Sequence, residues 1–331
     1  MEWFDNHKKL YITACLFFVG LTILVAIGPA LSNEKINQPL PGAQAMSADA
    51  MAGKHIYIAN GCVACHTQQV RNVDMDKMWG KRPSIAADYA SITRTDLWRN
   101  TATLMGSERT GPDLIDVGNR QGSQEWNLTH LFNPRILVKE SIMPAYPWLF
   151  KIKKEAEKGD VVVNVPAEFL HGAQGKVVAT KEALQLVAYL QSLKQTKLPD
   201  GTEAPAFLYK RAIKDSASGG ANEPDGNALY ATHCQACHQS NGEGLAGAFP
   251  SLKGSPIVLA DSIDHYIEII MKGYSGRLSE GYGVMPAVGD NANLTPEEVA
   301  AIANHERTNW GNNARKVTVD EVKKVMEFLK Q

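Results

Sequence analysis

The sequence contains Cys62-Val63-Ala64-Cys65-His66 and, 172 residues later, Cys234-Gln235-Ala236-Cys237-His238. Each stretch is a C-x-x-C pair followed at once by a histidine. This is the attachment pattern of a c-type haem, in which two thiols form thioethers with the haem and the adjacent histidine ligates the iron. The pattern therefore predicts two covalently bound haem c groups, with iron held by His66 and by His238.

A C-x-x-C pair also occurs in thioredoxin-like redox sites and in zinc sites. A thioredoxin motif is expected beside a strand-helix-strand unit, and the residues around these pairs do not follow that pattern. A zinc site built from both pairs would need a much shorter spacing than the one between Cys62 and Cys234. Haem attachment is therefore the more specific interpretation.

The composition bounds the class of protein. With 331 residues the chain is long enough for two ordinary domains and an anchor. Its 34 lysines and arginines balance 35 acidic residues, so no basic excess indicates a nucleic-acid partner. We expect no nucleic acid among its partners.

Residues 10–31 form an uncharged, apolar stretch of 22 residues. As a helix this stretch would span roughly 33 Å, enough for the hydrocarbon core of a bilayer. It is longer than the apolar region of a cleaved signal peptide, so we predict a single uncleaved transmembrane anchor in the inner membrane. Lys8 and Lys9 precede it, which predicts a cytoplasmic N-terminus at 1–9 and periplasmic haem domains. Cys15 lies inside the anchor and is interpreted as a small apolar residue.

Aligning the two motifs shows an internal repeat. Upstream of each motif a glycine is followed four residues later by a tyrosine, on a stretch that predicts a helix running into the haem site. Downstream of each come a turn with a proline, a Met-Pro pair and an amphipathic helix. The matching residues are Gly53, Tyr57, Pro112, Met143 and the helix after Thr180 in the first copy, and Gly226, Tyr230, Pro250, Met285 and the helix after Thr295 in the second.

The copies differ mainly before the first proline, where the first copy has about 34 additional residues. This insertion at 71–110 is rich in tryptophan and arginine, which are enriched in buried contacts at interfaces. We interpret it as a docking surface, and an elaboration of the haem pocket is the alternative. Its residues of interest are Arg71, Trp79, Arg82, Arg94, Trp98, Arg99 and Arg109.

The order of elements resembles the class I cytochrome c fold in both halves. The predicted fold is mainly α, with one N-terminal transmembrane helix followed by two class I cytochrome c domains. The resemblance implies Met143 and Met285 as the second axial ligands, with the carbonyls of Pro112 and Pro250 orienting the haem histidines. A proline after each methionine stiffens its loop. His130, His171 and His265 are alternative sixth ligands without such a proline.

The remaining boundaries follow from composition and capping signals. The first haem domain is expected at 32–195, and a linker rich in glycine, proline and serine at 196–223, with a short ordered piece near 207–213. The second haem domain is expected at 224–331. Thr295 and Thr318 each stand three residues before a glutamate, which predicts capping boxes at the last two helices.

The first half of the chain also contains longer stretches of sequence that are typical of one more specific family. They are Gly61-Cys62-Val63-Ala64-Cys65-His66-Thr67-Gln68-Gln69-Val70-Arg71, Arg109-Thr110-Gly111-Pro112-Asp113-Leu114, Val117-Gly118-Asn119-Arg120, Trp126, His130, Asn133-Pro134-Arg135 and Ser141-Ile142-Met143-Pro144-Ala145-Tyr146-Pro147-Trp148-Leu149. From the anchor to about Leu193 they resemble the membrane-bound monohaem cytochrome c subunit (subunit II) of cbb3-type cytochrome c oxidases. The second haem domain departs from that pattern and resembles soluble cytochrome c modules fused to oxidase subunits.

The resemblance implies a subunit that delivers electrons to a haem-copper catalytic subunit, beside other oxidase subunits and in contact with membrane lipid. A soluble cytochrome c or another respiratory complex would be the donor. The haem-copper centre needs several histidines on many membrane helices, so this chain is expected to lack a catalytic centre of its own. There are three alternative functions: an electron-donor subunit of a related nitric oxide reductase, a haem-based sensor, or a peroxidase.

Overall fold

The computed structural model describes residues 4–36, 45–90, 104–198, 202–208 and 224–330. These residues are mainly helical, as predicted. Contacts divide the chain into two compact units, one of Met1–Met46 with Ile85–Leu104 and one of Ser47–Ser84 with Met105–Gln331. Both haem motifs belong to the second unit.

The helices are α1 (His7–Leu21), α2 (Gly28–Ile36), α3 (Ala48–Ala59), α4 (Ala87–Ala90), α5 (Val117–Arg120), α6 (Gln124–Phe132), α7 (Lys181–Ser192), α8 (Gly226–His233), α9 (Gln235–His238), α10 (Pro256–Leu259), α11 (Asp264–Lys272), α12 (Val288–Ala292), α13 (Pro296–Thr308) and α14 (Val319–Phe328). The strands are β1 (Phe150–Lys153), β2 (Val162–Val163) and β3 (Lys176–Ala179). Short 3-10 turns lie at Cys62–Ala64, Asp74–Trp79, Pro134–Ile136, Pro147–Leu149, Ala167–Leu170 and Leu278–Glu280.

The N-terminal helix is long and apolar enough to cross a membrane. Its candidate span runs from His7 to Ser32, 26 residues, and includes a π-helical stretch at Thr22–Ile27 between α1 and α2. Asn6 caps the helix by accepting a hydrogen bond from the Lys9 amide at 3.2 Å. Apolar side chains such as Phe18 and Leu24 are exposed on this helix, and an all-round apolar surface is typical of a membrane span.

In the first haem domain the helix that leads into the motif crosses the last helix of the domain. Gly53 of α3 lies directly against the α7 backbone, where an added Cβ would stand 1.9 Å from the Gln185 carbonyl oxygen. The buried rings of Tyr57 and Tyr189 meet next to this crossing, 5.3 Å apart. The helices can approach this closely because position 53 has no side chain.

Gly53→Ala is expected to destabilise the first domain. Alanine is the better helix former by about 1 kcal/mol, but the overlap with backbone forces α3 and α7 apart, and such overpacking costs about 1–3 kcal/mol or more. We expect the apparent Tm of the haem-loaded protein to fall by a few degrees, about 2–4 °C for each kcal/mol lost. His55→Ala, at an exposed position of the same helix, is the control, and an unchanged Tm in Gly53→Ala would contradict the close crossing.

The second domain, which contains the second C-x-x-C-H motif, repeats the crossing. Gly226 of α8 lies against α13, where an added Cβ would stand 2.2 Å from the Ala301 carbonyl oxygen. Tyr230, four residues later, is buried and packs on His305 with ring centroids 5.2 Å apart. The paired glycines therefore serve the same purpose in both copies, because each allows the first and last helices of its domain to touch.

The core of the second domain is built by α11, α13 and α14. Ile267, Ile302 and Val322 are completely buried there. Both predicted capping boxes are confirmed: Thr295 and Glu298 exchange hydrogen bonds at the start of α13, and Thr318 and Glu321 do so at the start of α14. The last helix accordingly packs back on its own domain through Val322, Val325 and Met326.

A small sheet in the first domain was not anticipated from the sequence. Its three strands are antiparallel in the order β1-β3-β2, with Phe150 opposite Ala179 and Val162 opposite Val178. Phe150 packs edge-on against Phe132 of α6 at 5.3 Å. Strands of two to four residues are too short to show an alternating pattern, which explains the omission.

Two sequence predictions fall largely outside the described residues. Arg94, Trp98 and Arg99 of the insertion lie in the undescribed range 91–103, and most of the linker lies in 199–201 and 209–223. The ordered piece predicted near 207–213 is therefore described only at its start.

Candidate functional site

The first C-x-x-C-H motif forms a tight turn that places its histidine against the proline loop. Gly61, with φ of 68°, ends α3 and starts the 3-10 turn of Cys62–Ala64. The Nδ1 of His66 lies 2.8 Å from the carbonyl oxygen of Pro112. A carbonyl can only accept, so Nδ1 donates, and Nε2 remains free of a proton for binding a metal.

The residues beside Pro112 hold this loop on the motif. A Cβ at Gly111 would stand 2.3 Å from Cε1 of His66, so only glycine lets the loop approach the ring. Asp113 is completely buried, and its Oδ2 accepts hydrogen bonds from the Thr67 hydroxyl and the Gln69 amide, both at 2.6 Å. Sequence reasoning assigned no role to Asp113, although it stands inside one of the family strings.

The described part of the insertion packs on the same loop. Asp76 is completely buried and pairs with Arg71 and Arg109. Arg109 also donates to the Thr67 hydroxyl at 3.0 Å, and its guanidinium lies 4.9 Å from the ring centre of Trp79. These residues therefore support the haem loop, which agrees with the elaboration of the pocket that was considered beside a docking surface.

Asp76→Asn is expected to destabilise the first domain by about 3 kcal/mol, because it leaves the largely buried Arg109 with only the more distant carboxylate of Asp113, 3.8 Å away, as a counter-charge. Burial alone raises the pKa of Asp76, but hydrogen bonds from Arg71 and Arg109 hold it below its usual value. The wild type therefore loses this stabilisation only as the pH falls below about 4, the pKa of an unfolded aspartate. Denaturant unfolding at neutral and acid pH should show the difference between the two proteins narrowing on acidification. A difference that does not change with pH would contradict the ion pair.

The second motif is also set against a proline loop. Cys234 ends α8, and Cys237 and His238 lie on the single turn of α9. The Nδ1 of His238 lies 3.0 Å from the carbonyl oxygen of Pro250, so the ring is oriented as in the first domain. Burial lowers the pKa of His238, which keeps the imidazole neutral and able to bind a metal.

The predicted residues of the second site line a single cleft. They are Cys234, Cys237, His238 and Met285. Most other lining residues are apolar, among them Phe249, Leu252, Ile257, Val258, Ile269, Ile270 and Ile302. The cleft is open to solvent at its mouth, and its open space counted together with that solvent is about 1180 Å³. Two thiols, an imidazole and a thioether in an apolar cleft fit a haem c.

Both methionine loops can be placed relative to the motifs. Met285 forms a two-way backbone bridge with Tyr274, at 2.9 and 3.0 Å, which holds its loop beside the cleft. Met143 is half-buried, and its backbone N–H donates a hydrogen bond to the Ser141 hydroxyl oxygen at 3.3 Å. Trp148, five residues further on, donates from its indole Nε1 to the side-chain oxygen of Asn60 at 3.2 Å, two residues before Cys62. The Met143 loop therefore lies at the first motif.

The alternative histidine ligands have different surroundings. His171 is exposed in a left-handed conformation with φ of 48°, and His265 is exposed and contacts Glu268 at 3.2 Å. His130 stacks on Trp126 with ring centroids 4.5 Å apart. Its Nδ1 is buried without a hydrogen-bond partner among the described residues, and burial lowers its pKa to about 4.

The described residues hold no cluster of side chains that could bind a metal ion directly, without haem. No group of three or more histidine, cysteine, aspartate or glutamate residues converges there on a common point. The four motif cysteines therefore do not assemble one zinc site.

Comparison with protein families decides the identity of the chain. Residues 1–170, just over half of its length, match the family of the mono-haem subunit of cytochrome c oxidase, FixO. The chain belongs to this family. Residues 221–305 match a second family, subunit III of cbb3-type cytochrome c oxidase, so this FixO family member has a further cytochrome c domain.

Individual relatives are cytochromes c or cytochrome subunits of dehydrogenases. Cytochrome c-552 of Thermus thermophilus is 37% identical over 113 residues, which are 31% of this chain and 85% of that protein. The cytochrome c subunit of the quinone alcohol dehydrogenase of Gluconacetobacter polyoxogenes is 30% identical over 168 residues, 47% of this chain and 35% of that protein. The fructose dehydrogenase cytochrome subunit of Gluconobacter japonicus is 35% identical over 111 residues, 32% of this chain and 23% of that protein.

Together these findings establish the class of protein to which the chain belongs. This FixO family member is a cytochrome c electron-transfer subunit with covalently bound haem c. Its partner is a respiratory complex, and its N-terminal helix is a candidate membrane span in a family of membrane-anchored cytochromes.

Proposed function

We propose that this chain carries two haem c groups and passes electrons to the haem-copper catalytic subunit of a cbb3-type terminal oxidase, which reduces oxygen. The observation that carries the proposal is the match to the oxidase mono-haem subunit over residues 1–170, because it includes the candidate membrane span, the first haem motif and Met143. The cbb3-type match of the second domain supports the same complex.

The proposed iron ligands are His66 with Met143 and His238 with Met285. In support, Met285 lines the same cleft as His238, and Trp148 links the Met143 loop to Asn60, two residues before Cys62. A histidine-methionine pair raises the reduction potential of a haem, which suits delivery to a late acceptor such as an oxidase.

The bound haem supplies a one-electron iron couple, and the chain holds and tunes it. In each domain two cysteines fix the group covalently, while a proline carbonyl orients the histidine ring and strengthens it as a ligand. The apolar side chains of the second cleft keep water away from the site, which also raises the potential of a haem. No side chain has to donate or accept a proton in this function.

We place the N-terminus in the cytoplasm and the haem domains in the periplasm. Lys8 and Lys9 flank the short N-terminal end of the span, and positive residues favour the cytoplasmic side. The second domain is proposed as the entry port, which takes electrons from a soluble cytochrome c or from another respiratory complex.

Purification of the full chain with its native partners tests the proposal. We expect a tagged chain, extracted in mild detergent, to co-purify with a cbb3-type haem-copper subunit and to support oxygen consumption by that complex. If the chain co-purified instead with the catalytic subunit of a nitric oxide reductase or of a quinone-dependent dehydrogenase, the proposed oxidase partner would be wrong. That enzyme would then be its electron acceptor or donor. A haem-to-protein ratio of one instead of two would overturn the count of haems.

A further inference from the structure

The second haem site is not built from its own domain alone. Gln121 belongs to the first domain, between α5 and α6, yet it lines the cleft of the second motif. Its Nε2 lies 3.5 Å from the Sγ of Cys237. The backbone of Gln121 is held in place, since its amide bonds to the Val117 carbonyl at 2.6 Å and its carbonyl accepts from Asn127 at 2.8 Å.

Trp126 makes a second contact beside the first. Its indole Nε1 donates to the carbonyl oxygen of Ala236 at 3.2 Å, and Ala236 lies between the two cysteines of the second motif. The hydroxyl of Ser123 caps the helix that carries Trp126, and His130 stacks on its ring at 4.5 Å. Two side chains of the first domain therefore donate hydrogen bonds to neighbouring residues, Ala236 and Cys237, of the second haem-attachment turn.

Further contacts hold the two domains in this arrangement. Asn291 of α12 donates to the Asn119 carbonyl at 2.6 Å, and Asn164 donates to the Gly247 carbonyl at 2.6 Å. Gly283, close to Met285, lies so near α6 that an added Cβ would stand 2.7 Å from Oε2 of Glu125. These hydrogen bonds join neutral groups, so salt should screen the contact only weakly.

We propose that Gln121 and Trp126 of the first domain complete the haem site of the second domain, so that the Cys237 edge of this site faces the first domain and the two domains act as one docked redox body. The inference rests on the proposed haem at Cys234 and Cys237. It deepens the proposed function, because it assigns the side of the second haem site at Cys237 to electron exchange with the first haem. The other sides of the second haem site are then left for an external electron donor.

The first test measures the potential of each haem in the complete, haem-loaded chain. Gln121→Leu removes an N–H dipole whose positive end points at Cys237, so the oxidised haem becomes easier to form. We expect the midpoint potential of the second haem to fall while that of the first is unchanged, and Gln121→Asn to restore part of the shift. Gln185→Leu is the matched control, since its amide bonds to Asp49 within the first domain.

The second test measures docking itself. A protease site placed in the linker between 209 and 223 allows the folded chain to be cut. The two fragments should stay together on size exclusion, in low and in high salt, and should separate in the double variant Gln121→Leu with Trp126→Ala. The inference would be overturned if the wild-type fragments separated at once, or if the midpoint potential of the second haem were unchanged in Gln121→Leu. A count of one haem in the uncut wild type would instead overturn the proposed function.

Discussion

Replacing Cys234 and Cys237 together by alanine is expected to remove one of two covalently attached haems. Both thiols line the cleft with His238, and the double variant leaves no thioether to hold a haem there. The haem-to-protein ratio should fall from two to one, with a matching loss of one haem from the intact mass. The haem that remains, at Cys62 and Cys65, should resist extraction by acidic acetone.

The control for this variant is Cys15→Ala. Cys15 is exposed on the N-terminal helix, outside both motifs, and its replacement should leave the haem content unchanged. If the Cys234 and Cys237 variant kept its full haem content, or if the wild type lost haem to acidic acetone, covalent attachment at the second motif would be wrong.

Met143→Ala is expected to lower the reduction potential of the first haem and to stall oxidase turnover while the complex still assembles. A thioether ligand favours the reduced iron, and axial ligands set haem potentials over a range of about 0.8 V, so a fall on the order of 0.1 V is expected. Assembly should survive because Met143 is half-buried in a loop outside the helices of the core. Redox titration of the purified complex and its oxygen consumption measure the two effects.

Two matched variants locate the effect. Met285→Ala should lower only the potential of the second haem, and Met78→Ala, at a methionine that is 43% exposed in the insertion, should change neither. Normal turnover and an unchanged first potential in Met143→Ala would point to another ligand. His130 would then be the first candidate, since its buried Nδ1 lacks a partner among the described residues.

Local chemistry explains why much of the site could be predicted. The C-x-x-C-H spacing is short enough to specify haem attachment without knowledge of the fold, and a charge-free run of 22 residues specifies a candidate span by length. The capping boxes at Thr295 and Thr318 are likewise interactions within one helical turn. The repeated glycine and tyrosine indicated the helix before each motif because the repeat itself could be aligned, whereas the close helix crossings at Gly53 and Gly226 became visible only in the structure.

Other features depend on residues far apart in the chain, and no local pattern contains them. Nothing near Asp113 indicates that it joins Thr67 and Gln69, which precede it by more than 40 residues. The short strands have too few residues for a period to be visible.

The sequence by itself determined the chemistry of this protein: covalent haem c, an apolar anchor and a repeated helical plan. All three follow from spacing and periodicity within short segments. Only the tertiary structure decided that Gln121 and Trp126 of one domain contact the haem-attachment turn of the other, over separations of 116 and 110 residues. Such contacts arise from the packing of two complete domains against each other, and a linear pattern carries no information about which surfaces will meet.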